Sequence, residues 1–394
     1  MLPLSGLRVI AVEQYGAGPY GSMQLADLGA EIIKIENPAE SGDMARRVGP
    51  YFLENGDSHF FHSFNRNKKS ITLDLKKPAA RRVLTAMAAR SDGLMDNLRG
   101  DLPAKLGLTY EALAAANPRI VCVHLSAYGR TGSRATWPGY DYLMQAETGY
   151  LSVTGEPDGP PTRMGLSIVD LMTGLFAAFA LVSAVLEARA TGRGRDVDVS
   201  LFDCALQNLS YLATWYLNTG HAQGREPRSA HPSLVPSQLY RTRDGFVFIM
   251  CNKEKFWPIL CERLGHSEWA QDPRFSTFKD RLANRPLLNK LLDAALSGRT
   301  TAEWLDHFAG QVPVAPVNDI RSALDNPFVN EGGRIRDYDL PGTAPLRMVA
   351  GPVVTGEDAP CHAAPALGAD TDAVLRDCGF SDGDLQTLRA ERVI

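Results

Sequence analysis

Apolar and polar positions alternate along the chain with two periods, one of strands and one of helices. Leu7-Arg8-Val9-Ile10-Ala11-Val12 is a nearly continuous apolar run of strand length, the pattern of a strand covered on both faces. A glycine-rich turn follows, then a helix from about Tyr20 to Leu28 that Gly29 closes. Glu31-Ile32-Ile33-Lys34-Ile35-Glu36 is the next strand, so the chain opens as a βαβ unit and predicts a parallel sheet. A helix from about Pro78 to Ala89, a short strand near Gly93-Leu94-Met95 and a strong strand from Arg119 to Leu125 continue the alternation. An apolar helix after Asp170 comes next, then a strand at Asp196-Val197-Asp198-Val199-Ser200 and a helix from about Leu201 to Leu217. This is an α/β pattern.

The texture changes near Asn218. Gly220, Gly224, Pro227, Pro232 and Pro236 give the following segment the composition of a linker. A smaller unit starts at the strand Gly245-Phe246-Val247-Phe248-Ile249-Met250 and continues in helices near Lys255 to Leu264, Arg285 to Leu296 and Thr301 to Phe308. Pro313 to Pro316 reads as a second break. The tail from about Asn326 is loop-rich and ends in a helix near Asp382 to Arg392.

Composition narrows the function classes. With 394 residues, 44% of them hydrophobic, the chain can bury a sizeable core, and its length suggests ~2 to 3 domains. A net charge of -4 offers no nucleic-acid footprint, so any anion site must be local. Cys122, Cys204, Cys251, Cys261, Cys361 and Cys378 form no C-x-x-C pair and read as inert thiols rather than a disulfide frame or zinc site, as suits a reducing cytoplasm. The opening residues carry no basic segment followed by an apolar one, which predicts no secretory signal and a cytoplasmic protein. The run from Leu171 to Leu186 is interrupted by Thr173, Gly174 and Ser183 and ended by Glu187 and Arg189. It therefore predicts a core helix, not a membrane span.

Three constellations could carry chemistry. Gly16-Ala17-Gly18-Pro19-Tyr20-Gly21 is a literal G-x-G-x-x-G between strand and helix, and Glu36 ends the next strand, where a ribose-binding acid would sit. That points to a dinucleotide, or only to a tight turn that needs glycine; either way the N–H groups of a helix N-terminus lie open there. Arg66, Lys68, Lys69, Lys76, Lys77, Arg81 and Arg82 face only Asp74 in their stretch, which suits a polyanionic ligand or a solvated helix face. Asp170, in Gly165-Leu166-Ser167-Ile168-Val169-Asp170, is either an N-cap or a carboxylate that attacks a thioester carbonyl, with nearby N–H groups holding the oxyanion. The eight histidines show no metal-ligand spacing, and no G-x-S-x-G elbow is present.

The chain resembles family III CoA-transferases nearly end to end. The resemblance rests on Leu25-Ala26-Asp27-Leu28-Gly29-Ala30-Glu31, Asn67-Lys68-Lys69-Ser70-Ile71-Thr72-Leu73-Asp74-Leu75-Lys76, Asp96-Asn97-Leu98-Arg99-Gly100 and Gly139-Tyr140-Asp141. It extends through Ser167-Ile168-Val169-Asp170, Thr191-Gly192-Arg193-Gly194-Arg195-Asp196, and Asp272-Pro273-Arg274-Phe275. It implies a Rossmann-like large domain built from residues 1–224 and 326–394, a smaller α+β domain over 225–325, and two chains interlocked as rings in a homodimer. Coenzyme A would be a substrate, with no tightly bound cofactor and no metal. Asp170 matches the catalytic aspartate, which attacks the donor thioester and passes CoA to a small carboxylic acid through covalent intermediates. Carried-over CoA contacts are Gly16, Ala17, Leu73, Asp74, Leu75, Lys76, Asn97, Leu98, Arg99, Lys105, Leu125, Ser126, Ala127 and Tyr128.

Two departures shape the expected substrate. Gly16 stands where formyl-CoA transferase has an active-site glutamine, and the mobile glycine-rich loop of that enzyme has no counterpart after Met250. Formate and oxalate are therefore poor guesses, while succinyl-CoA is a reasonable donor. Arg163, His231 and Lys253 are candidates for holding a second carboxylate. The main rival is an acyl-CoA racemase on the same fold, which needs a base and an acid about the α-carbon. Such racemases carry a histidine where this chain has Tyr140, a poor base at neutral pH with an ordinary pKa of about 10. A dinucleotide oxidoreductase and a non-catalytic CoA-binding protein are more distant rivals.

Overall fold

A six-stranded parallel sheet in the order β3-β2-β1-β4-β5-β6 organises the computed structural model, which describes residues 1–54, 56–341 and 344–394. Its strands are β1 (Arg8–Val12), β2 (Glu31–Glu36), β3 (Lys69–Thr72), β4 (Gly93–Asp96), β5 (Val121–Ser126) and β6 (Arg195–Ser200). All neighbours pair in parallel, with Val9 opposite both Ile32 and Gly93. The apolar runs read from the sequence are β1, β2, β4 and β5. Helices cover both faces of these strands, so they lack polar alternation. Edge strand β3 has only four residues, Lys-Ser-Ile-Thr, and gives no comparable signal.

Two helical layers sandwich this sheet. On one face α1 (Ala17–Asp27) packs beside α4 (Ile168–Thr191); on the other, α2 (Ala80–Ala88) buries Val83, Leu84 and Met87 against Ile10, Ile33, Leu94 and Cys122. Helix α3 (Asp141–Glu147) precedes α4, and α5 (Leu201–Asn208) follows β6. The α1–α4 contact is a glycine seam. A Cβ on Gly21 would fall 2.3 Å from the Gly174 carbonyl oxygen, and one on Gly174 would fall 2.3 Å from that of Ala17. Helix α4 is long and apolar enough to cross a membrane by length and composition. It is nonetheless a domain helix: Gly174 lies against α1, and Leu181 reaches the sheet at Gly93, where a Cβ would sit 2.6 Å from its Cδ1.

The helix expected over 201–217 is two helices, α5 and α6 (Ser210–Thr219), because Ser210 takes a left-handed φ of 50° and breaks the ladder. A second compact unit comprises Gly149–Met164 and Tyr211–Val329. It holds an antiparallel sheet of β7 (Ser237–Arg241), β8 (Phe246–Met250) and β9 (Val314–Pro316), with α7 (Phe256–Arg263), α8 (Arg285–Leu296) and α9 (Thr301–Phe308). Tyr240, Val247, Ile249, Trp257, Leu288, Leu292 and Phe308 form its core. The expected break at Pro313 to Pro316 is strand β9. Pro316 ends an edge strand, where a missing N–H costs little.

The first unit comprises Met1–Thr148, Gly165–Ser210 and Asn330–Ile394. Gly149–Met164 and the residues from Tyr211 onward thus group with the second unit, earlier than the linker composition near Asn218 suggests. The returning tail adds a hairpin of β10 (Ile335–Tyr338) and β11 (Leu346–Val349), then α10 (Thr371–Asp377) and α11 (Asp382–Ala390). Val374, Leu375, Leu385 and Leu388 from these last helices join the α2 side of the core. Cys122, Cys204, Cys251 and Cys261 are buried, and burial pushes each thiol pKa up.

Candidate active site

The turn from β1 to α1 is held by charges that see no solvent. Lys34 Nζ donates to the Glu13 carbonyl at 2.7 Å and pairs with Asp43 at 2.9 Å, while Lys68 Nζ pairs with the Glu13 carboxylate at 2.8 Å. Asp43 accepts from the Tyr15 N–H at 3.1 Å. From the other side Asn97, just past β4, accepts from the Gln14 N–H at 2.9 Å and donates to the Gln14 carbonyl at 2.7 Å. Clamped in this way, Tyr15 sits at a left-handed φ of 72°, a conformation a tyrosine keeps only when its surroundings impose it. Gly16 follows and opens α1.

The α1–α4 seam brings the start of α4 to this turn. A Cβ on Gly16 would lie 3.0 Å from Asp170 Oδ2. Asp170 is the third residue of α4, not its N-cap; Ser167 holds that position and makes no side-chain cap. The capping role falls to Asp141, whose Oδ2 accepts the Asp170 N–H at 2.9 Å and whose Oδ1 accepts from Gln145 Nε2 at 2.6 Å. Asp141 is buried, 3% exposed. The Asp170 carboxylate is thereby released from backbone duty and faces the cavity.

Burial, with the Asp141 charge adding to it, raises the Asp170 pKa to about 7. The helix N-terminus acts in the opposite sense, but such an effect is typically ~0.3–1 kcal/mol and does not win here. Asp170 is therefore not the fully ionised carboxylate that a helix N-terminus alone suggests. It is half-protonated near neutrality and unusually basic when charged, and greater basicity strengthens a carboxylate nucleophile.

A cavity of about 260 Å³ opens at the carboxyl ends of β1, β4 and β5, where the sheet order reverses direction. Of the residues carried over by resemblance, it gathers Gly16, Ala17, Asn97, Leu98, Arg99, Leu125, Ser126, Ala127 and Asp170. Tyr15, Met44, Trp137 and Tyr140 also line it, although sequence reasoning gave the first three no role. The remaining carried-over positions lie outside the cavity. Leu73 and Asp74 are buried, the Asp74 N–H donating to Val393 O at 2.8 Å, and Leu75 packs on the core. Lys76 pairs with Glu40 at 2.9 Å and Lys105 with Asp101 at 2.6 Å, both on the surface. Tyr128 donates to Glu147 at 2.9 Å and its ring backs Trp137. Arg163, His231 and Lys253 belong to the second unit, where His231 Nδ1 accepts the Ser233 and Leu234 N–H groups of a turn.

The dinucleotide fingerprint dissolves on inspection of its parts. Gly21 serves the seam with α4, and Gly18 leaves room for Asn97, whose Cβ is 3.0 Å from where a glycine Cβ would be. Glu36 is buried and bound by Nε and Nη2 of Arg46, at 2.8 and 2.7 Å, and by Ser70 at 2.6 Å. It has no capacity left for a ribose. The basic run is also largely partnered: Arg66 with Asp27, Lys68 with Glu13, Lys69 with Glu31, Arg82 with Asp384.

Fold and site together define an α/β protein with a half-buried carboxylate in a cavity at the carboxyl edge of its sheet. The chain belongs to CoA-transferase family III, whose model matches residues 4–371. It is an enzyme that moves CoA from a thioester to a carboxylic acid. The chain is 38% identical over 362 residues to the acetyl-CoA:oxalate CoA-transferase of Acetobacter aceti, covering 87% of this chain and 92% of that one. It is 32% identical to the succinate–glutarate CoA-transferase of Agrobacterium fabrum, covering 90% of each. Among solved structures, a CaiB/BaiF family protein of Brucella suis superposes with a TM-score of 0.82 at 32% identity, covering 96% of this chain and 99% of that one. A hypothetical protein of Mycobacterium tuberculosis does so with 0.82 at 28% identity, covering 95% and 99%.

Proposed function

We propose that this enzyme transfers CoA from a short acyl-CoA, with succinyl-CoA the leading donor, to a small dicarboxylic acid through covalent intermediates on Asp170. The observation that carries the reading is the Asp170 carboxylate itself. It is basic and released from helix capping, and the Gly16 hydrogen that faces it leaves room for an incoming thioester. An Asp170 oxygen attacks the thioester carbonyl and CoA thiolate leaves, giving a mixed anhydride. The thiolate then attacks the aspartyl carbonyl and releases the donor acid, leaving an aspartyl-CoA thioester. The acceptor carboxylate displaces the thiolate to form a second anhydride. Attack of the thiolate on the acceptor's carbonyl restores Asp170 and yields the new thioester. The first N–H groups of α1, which lack intrahelical acceptors, are suited to the developing oxyanions.

The cavity accommodates an acyl group, not a whole coenzyme A, so the rest of the cofactor must run outward past Asn97, Leu98 and Arg99. Relatives named for glutarate, mesaconate and oxalate support a dicarboxylic acceptor. Oxalate counts among them, so the departure at Gly16 is weak ground for setting it aside. A homodimer, interlocked as in the family, is part of the proposal. Its support is the outer face of α4, where Leu175, Phe176, Phe179 and Leu186 are exposed, Phe179 by 71%. A cytoplasmic location fits the free cysteines. No histidine lines the cavity among the described residues, which weighs against the racemase reading.

The test is a CoA-exchange assay with succinyl-CoA and a panel of mono- and dicarboxylic acids, read by mass spectrometry. A new CoA thioester, absent with Asp170→Ala, supports the reading. Exchange of an α-proton with deuterated water and no new thioester would replace it with the racemase.

A further inference from the structure

His124 lies in β5, 1% exposed and outside the cavity, with a carboxylate at each ring nitrogen. Its Nδ1 is 2.6 Å from Asp96 Oδ2, and its Nε2 is 3.0 Å from Asp196 Oδ1. Asp96 ends β4 and Asp196 lies near the start of β6, so the ring ties together three adjacent strands, running from the carboxyl end of β4 back toward the amino end of β6. A neutral imidazole has one N–H and can serve only one of the two carboxylates; the imidazolium serves both. Burial opposes that charge, and raises the Asp96 pKa as well, but the bonds to Asp196 and Asp96 outweigh it at the ring and hold the His124 pKa up at about 9.

Both carboxylates pass the constraint on. Asp96 Oδ1 accepts the Leu98 N–H at 3.3 Å, at the start of the Asn97-Leu98-Arg99 loop. Asp196 stands 3.7 Å from Arg130, which also clasps Asp198. Arg130 follows Gly129, whose N–H donates to Ser126 Oγ at 3.0 Å, and this closes the loop after β5. These are the two loops that bring Leu98, Arg99, Ser126 and Ala127 to the cavity.

We propose that His124 is a positioning residue for coenzyme A: bridging Asp96 and Asp196, it sets the relative position of the two loops that receive the cofactor. The proposal rests on the assignment of this cavity to coenzyme A. It concerns binding of the cofactor, not the carboxylate chemistry at Asp170, and so predicts a split between the two.

The test uses His124→Gln, which keeps much of the volume but has a single donor nitrogen and cannot bridge carboxylates on opposite sides. CoA affinity is measured by calorimetry, and turnover and acceptor KM by the exchange assay. CoA affinity falls about tenfold, the scale of one charge-assisted hydrogen bond, while turnover at saturating thioester and acceptor KM stay within about twofold. Nitrogen NMR of labelled histidine shows the His124 ring doubly protonated at neutral pH in the wild type, a signal lost in the variant. If His124→Gln does not fold, Asp196→Ala removes one end of the same bridge at a less buried position and gives the same split. A folded variant with unchanged CoA affinity overturns the proposal, as does a loss of turnover with CoA affinity intact. Wild-type protein that binds no CoA overturns the assignment of the cavity, and the proposal with it, before any variant is compared.

Discussion

Asp141 caps the helix that carries Asp170, accepting the Asp170 N–H at 2.9 Å while its charge opposes ionisation of the Asp170 carboxylate. One residue therefore fixes the position of the proposed nucleophile and tunes its proton affinity. Since the Asp170 pKa is raised to about 7, kcat/KM should rise with pH through neutrality as the carboxylate forms. Asp141→Asn keeps an acceptor for the N–H and removes the charge. Removing a like charge lowers the Asp170 pKa, so the acid limb of the pH–rate profile moves to lower pH. A limb that stays in place would show that burial alone sets it.

The same shift bears on stability. A folded-state pKa above the ordinary carboxylate value means that the folded protein holds a proton the unfolded chain releases. Stability from this group is thus present at low pH and lost as pH rises from about 4 through about 7, by at most a few kcal/mol once partial exposure is allowed for. Asp170→Asn abolishes this loss. Denaturant unfolding should find the variant more stable than the wild type at about pH 8 and nearly equal at about pH 4.

Gly16→Ala places a methyl group 3.0 Å from Asp170 Oδ2, in the space an incoming thioester would use. Gly16 has φ −115°, so alanine fits the backbone without strain. Activity should fall by roughly ten- to a hundredfold, as small displacements of reacting groups do, with little change in Tm. Steady-state kinetics beside a melting curve separates the two effects.

Gly21→Ala acts at the seam instead. Its Cβ would meet the Gly174 backbone oxygen at 2.3 Å, so α1 and α4 must separate. The expected cost is about 3 kcal/mol or more, seen in denaturant unfolding. The shift of α4 should also carry Asp170 away from Gly16 and lower turnover, which ties the packing of this helix pair to the chemistry at its end.

Strands buried on both faces were legible because their apolar runs are continuous, as in β1, β2 and β5. Edge strands β3 and β9 were not, since a lysine, a serine and a threonine in one and a proline in the other hide the pattern. The glycine fingerprint was legible as a motif but not as a cause. Its glycines answer to Asp170, Asn97 and Gly174, contacts across more than seventy residues of sequence that no local reading reveals. Asp141 was visible only as part of a Gly-Tyr-Asp triplet, because its role depends on the approach of α4. Likewise the basic run looked free until the acids opposite it were brought into place.

The central claim is that CoA passes through Asp170, and trapping the intermediate tests it most directly. The enzyme is mixed with succinyl-CoA without an acceptor acid, quenched and digested, and its peptides are searched by mass spectrometry. The account predicts CoA on the peptide containing Asp170, lost on adding hydroxylamine, with a hydroxamate left at that residue. Efficient formation of new thioesters with no adduct on Asp170, or with the adduct on another residue, would contradict it.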